Sequence, residues 1–64
     1  MGFVEQVPGK IGLFKIYKGN NKNSWTTVQK TGEILIWQGE KSFKTQNKAG
    51  TINEYDMNTG RKIR

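Results

Sequence analysis

The sequence predicts an all-β protein: a single small antiparallel meander of five or six short strands, forming a bent sheet or an SH3-like or OB-like barrel. Three observations predict it. Gly9, Gly19, Gly32, Gly39, Gly50 and Gly60 punctuate the chain at intervals too short for a long helix. The pieces between them are rich in aromatic and β-branched residues, which suit a pleated surface. Turn-forming pairs such as Thr31-Gly32 fall between those pieces.

Taken in order, Pro8-Gly9 reads as a turn that leads into a first long strand over residues 11–17. Residues 19–24, all Gly, Asn, Lys or Ser, are the longest polar run and read as a mobile loop. A second strand is expected over 25–29, a hairpin turn at Thr31-Gly32, and a third strand over 33–37. Gln38-Gly39-Glu40 supplies another turn before a strand over 42–45. Strands over 51–56 and 61–63 close the chain around Asn58-Thr59-Gly60, where a three-residue loop needs a positive φ. In the third strand Ile34 and Ile36 alternate with Leu35 and Trp37, so both faces carry apolar groups and the strand is expected to be central. The expected core is Val7, Ile11, Leu13, Ile16, Val28, Ile34, Ile36, Phe43 and Ile52, joined by Phe14, Leu35 and Tyr55.

Residues 28–34 and 57–63 share Thr-Gly and a following Ile, and two such copies are too few for a solenoid or propeller. Residues 55–61 resemble the strand-turn-strand corner of propeller blades and of the Tyr-Asp repeats of large secreted toxins. That likeness covers turn chemistry shared by many β proteins and implies no family.

Length limits the chain to one domain, 1–64, whose core is small. Eleven Lys and Arg against five Asp and Glu leave a formal charge of +6, which makes polyanion binding the first functional expectation. The chain has neither His nor Cys, the usual neutral-pH acid–base and nucleophilic groups, so no enzyme is expected. No disulfide, zinc site or other cofactor is expected either. Glu54 and Asp56 would share one strand face, but a hard cation needs about six oxygen ligands. Gly9-Lys10-Ile11-Gly12 has a phosphate loop's composition without its spacing or its following helix.

Lysines interleaved with aromatics form the remaining constellation. Lys15, Tyr17 and Lys18 lie on the first predicted strand, and Trp25 lies on the second with Lys30 just beyond it. Trp37 lies on the third, and Lys41, Phe43 and Lys44 on the fourth; Arg61, Lys62 and Arg64 concentrate charge at the C-terminal end. If the strands are neighbours, Tyr17, Trp25 and Trp37 form one stacking platform edged by ammonium groups. The expected function is therefore DNA or RNA binding with low sequence specificity. The alternative is a small viral or mobile-element protein that docks on an acidic host protein surface through Trp37 and Leu35. A third class is an assembly subunit that pairs through a strand edge. No apolar run approaches the roughly 20 residues of a membrane span, and the opening residues lack a secretory pattern, so a soluble, cytoplasmic protein is expected.

Overall fold

The computed structural model describes residues 2–19 and 21–63 and contains six strands and no helix among them. They are β1 (Gly2–Gln6), β2 (Leu13–Lys18), β3 (Trp25–Gln29), β4 (Ile34–Gln38), β5 (Ser42–Gln46) and β6 (Ile52–Asp56). Two antiparallel three-stranded sheets result, β1-β2-β3 and β4-β5-β6, so the meander is split in two and is not a closed barrel. β1 was not expected from the sequence. The last expected strand, 61–63, is reduced to a single bridge between Tyr55 and Lys62, with Ile63 N–H donating to the Glu54 carbonyl.

The ladders show that the two sheets are versions of one unit. In the first, Gln6 stands opposite Phe14, which stands opposite Val28; in the second, Gln38 stands opposite Phe43, which stands opposite Tyr55. Lys15 and Lys44, one residue beyond each Phe, occupy the outer faces because successive side chains alternate. The inner faces meet where Phe14 packs on Phe43, with ring centroids 6.1 Å apart.

β1 and β4 lie side by side, joined by glutamine side chains rather than by a backbone ladder. Val4 N–H donates to Gln38 Oε1 at 3.1 Å, and Gln38 Nε2 donates to the Val4 carbonyl at 3.0 Å. Reciprocally, Leu35 N–H donates to Gln6 Oε1 at 3.2 Å. Each sheet thus satisfies backbone groups on the other's edge, which would otherwise lack partners.

The core is Val4, Phe14, Ile16, Phe43, Tyr55 and Met57, with Val28 and Leu35 packed against it. This corrects the expected list. Ile16, Val28, Phe43, Phe14, Leu35 and Tyr55 are placed inside, Val7 and Leu13 are half-buried, and Ile11, Ile34, Ile36 and Ile52 are exposed. In β4 Leu35 is the residue that packs inward, and alternation alone sends its neighbours Ile34 and Ile36 outward. The bulge at Ile36 then breaks the two-residue alternation, so Trp37, which would otherwise point inward with Leu35, is exposed as well. β4 is an edge strand of its sheet and not a central one.

Local hydrogen bonds fix the connections. In the 19–24 region, Asn21 N–H donates to the Lys18 carbonyl, Ser24 N–H to that of Asn21, and Asn23 N–H to Asn21 Oδ1. After β6, Asp56 Oδ1 accepts from the N–H groups of Asn58 and Thr59, and Gly60 adopts φ +73°. A Cβ at Gly60 would stand 2.8 Å from Val28 Cγ1, so this turn packs directly against the first sheet.

Candidate nucleic-acid interface

The pleat of the first sheet turns Val4, Phe14, Ile16 and Val28 inward and places Phe3, Tyr17 and Trp25 together outside. Those three stand opposite one another across β1, β2 and β3. Phe3 stacks on Tyr17 with centroids 4.4 Å apart and planes 11° from parallel. Trp25 meets the other side of Tyr17 at 5.9 Å and 52°. Lys15, diagonal to Trp25 on the same face, holds its ammonium 4.7 Å from the indole centre, a cation–π contact.

Exposure divides the row's labour. Tyr17 is only 8% exposed because its neighbours cover it, whereas Trp25 is 47% exposed. The Tyr17 hydroxyl donates to Glu5 Oε1 at 3.0 Å. Burial, followed by the hydrogen bond and negative charge of Glu5, pushes the Tyr17 hydroxyl above its ordinary pKa of 10.0. Tyr17 therefore remains a neutral donor that fixes the row, and Trp25 offers the accessible ring surface. Beside the row, Gly2, Tyr17, Lys18, Gly19, Met57 and Asn58 line an open cleft of about 360 Å³.

The other expected residues are dispersed. Trp37, 49% exposed, belongs to the second sheet, where Lys44 Nζ lies 5.1 Å from its ring. Its indole leans over Gly39, where a Cβ would come within 2.6 Å of the ring. The single platform of Tyr17, Trp25 and Trp37 is thus replaced by two lysine–tryptophan pairs on separate sheets. Trp37 and Leu35 do not form a shared hot spot, because the bulge sends one outward and the other toward the core.

Lys30 turns to the Tyr55 ring, with Nζ 4.4 Å from its centre. Lys41 is exposed in the connection between β4 and β5, and its carbonyl accepts from Met57 N–H. Arg61 and Lys62 are exposed beyond β6, and Arg64 lies outside the described residues. Phe3 is the member of the row that sequence reasoning missed. Its available signal was an apolar pair, Phe3-Val4, in a segment otherwise carrying Gly, Glu and Gln.

No acidic cluster suited to a metal ion occurs among the described residues. Glu54 accepts from the Ser42 hydroxyl at 2.6 Å, and Asp56 caps the following turn. No helix among the described residues is long and apolar enough to cross a membrane. Comparison with protein-family models, curated proteins and solved structures finds no match to this chain.

Proposed function

We propose that this protein is a binding module for nucleic acid, recognising single-stranded segments with little sequence preference through the outer face of its first sheet. The observation that carries this reading is the exposed Trp25 indole at the end of a fixed three-ring row, with the Lys15 ammonium over one face of its ring. A base stacks on an accessible indole whatever its identity, and ammonium groups follow phosphates without reading sequence. The charge of +6 supplies long-range attraction to a polyanion.

Within this reading Lys15 supplies the phosphate contact on that face, and Lys18 stands in the adjoining cleft. Lys44 with Trp37 forms a secondary contact on the other sheet, which a longer strand reaches by passing around the molecule. Titration of a fluorescent oligonucleotide across salt concentrations tests the proposal. A contact with about six phosphates gives a log-affinity against log-salt slope of about −4 on a single strand. A salt-independent affinity, or no binding at low salt, would remove it.

A further inference from the structure

Three of the exposed isoleucines, Ile11, Ile34 and Ile52, gather at the end of the molecule opposite the Lys18 cleft. Three connections meet there, 7–12, 30–33 and 47–51. They frame a groove of about 170 Å³ lined by Ile11, Gly32, Ile34, Gln46, Asn47 and Lys48. Ile11 is 68% exposed and Ile34 46%. Ile52, 54% exposed, extends the apolar strip, since Ile34 and Ile52 flank Gln46 across the second sheet.

The frame is built and rigid. Lys30 N–H donates to the Gly12 carbonyl at 2.6 Å, tying the first connection to the second. Asn47 Oδ1 accepts from Ala49 and Thr51 N–H, each at 3.0 Å, which holds the third. An apolar strip on a preformed frame is the usual mark of a docking surface.

Three features select the occupant. The groove is smaller than a small-molecule site of roughly 300 Å³ or more, so it accommodates a side chain rather than a cofactor. Its apolar walls are aliphatic and contain no ring on which a base would stack. Charge supplies the rest. The connections carry Lys10, Lys30 and Lys48 against one acid, Glu33, whose carboxylate is taken up by Thr45, Asn53 and Tyr55. Lys30 faces Tyr55, leaving exposed Lys10 and Lys48 beside the groove with no carboxylate in its lining. A second copy would bring those same lysines together on a molecule already at +6.

We infer that this groove binds a segment of another protein in which one large aliphatic or aromatic side chain is flanked by aspartates or glutamates. The side chain enters between Ile11 and Ile34, and the flanking carboxylates meet Lys10 and Lys48. This site is independent of the nucleic-acid face, so either can fail without the other.

Random-peptide display against the whole protein, with nuclease present, tests the inference. Enriched sequences are expected to carry a Leu, Ile or Phe between acidic residues. A synthetic peptide of the enriched sequence should shift the backbone amides of residues 10–12, 31–34 and 46–48. Ile11→Asn and Ile34→Asn should each weaken it on the order of tenfold, as loss of an anchoring contact does, with oligonucleotide affinity unchanged. Ile11 is exposed enough that its variant folds, so that measurement stands even if Ile34→Asn unfolds. No enrichment, enriched sequences without carboxylates, full binding by Ile11→Asn, or a dimer that closes the groove would each overturn the inference.

Discussion

Tyr55 donates its hydroxyl to Glu33 Oε1 at 2.6 Å, and this one oxygen also accepts from Thr45 Oγ1 at 2.5 Å and Asn53 Nδ2 at 3.4 Å. Thr45, Asn53 and Tyr55 are all buried on the inner face of the second sheet. The carboxylate satisfies three side chains that would otherwise be buried without partners, and their accessibility to water is too low to replace it. Glu33→Gln weakens a charge-assisted acceptor and places an amide donor among donors. Its expected cost is about 2–3 kcal/mol in urea denaturation, and a change below about 0.5 kcal/mol, the usual scatter of surface substitutions, would contradict this account.

The same cluster gives stability two pH limits. Partial burial alone pushes the Glu33 carboxyl up, but the bonds from Thr45, Tyr55 and Asn53 and the Lys30 charge outweigh it, so its pKa lies below the ordinary value. A depressed carboxyl stabilises the fold above its unfolded pKa, and that contribution disappears as pH falls through the folded value. Burial, followed by the Glu33 hydrogen bond and charge, pushes the Tyr55 hydroxyl up to about 12. Its contribution is complete below the ordinary 10.0 and is lost as pH rises from there toward about 12. Melting temperature against pH should decline at both ends, and Tyr55→Phe should lessen the alkaline decline and, because Glu33 loses one of the bonds that hold its pKa down, reduce the acidic one as well.

Because Gln38 pairs with both the N–H and the carbonyl of Val4, Gln38→Ala strands two groups at the seam between the sheets. The expected loss is about 1–3 kcal/mol, together with faster hydrogen exchange at the Val4 amide. Gln6→Ala releases only the Leu35 N–H and should cost less. Equal effects from the two variants would contradict the assigned bonding.

Gly9 and Gly12 both have positive φ, +76° and +89°, but different surroundings. A Cβ at Gly9 meets nothing within 4 Å, whereas at Gly12 it would stand 2.6 Å from the Lys30 carbonyl oxygen. Gly9→Ala should cost only the conformational penalty of about 1–2 kcal/mol. Gly12→Ala must also displace the backbone that bonds Lys30 to it, so it should be clearly the more damaging in thermal melts.

For the nucleic-acid face, Trp25→Ala should weaken oligonucleotide binding by about 1–3 kcal/mol, the range of one base–ring stack. Trp37→Ala should change it much less, since that indole stands on the other sheet. Lys15→Gln should reduce the steepness of the salt dependence by about 0.7 on a single strand. Binding unaffected by Trp25→Ala would move the site elsewhere.

How much was legible follows from what each signal encodes. Glycines and turn residues act locally, so the all-β class, the turns near Gly32, Gly39 and Gly60, and five of the six strands were readable without coordinates. That Lys15 and Tyr17 share a face was also readable, from alternation along a regular strand, whereas the place of Trp25 against them came from the register of β2 on β3. β1 was not: Gly2–Gln6 has little strand character of its own and is held by β2 and by the Gln38 side chain.

Composition and local pattern are enough to establish a small, strongly basic β protein without His or Cys, and where its chain turns. Which face of each strand is buried, and therefore what the surface can present, depends on long-range packing. Apolar residues lie on both faces of several strands, and alternation says which residues share a face, not which face meets another sheet. Phe14 against Phe43 settled that choice, and the bulge at Ile36 reversed it midway along β4. Packing between the sheets left Ile34 and Ile52 outside, and the break between β3 and β4 placed the two indoles on separate sheets, results that no local pattern records.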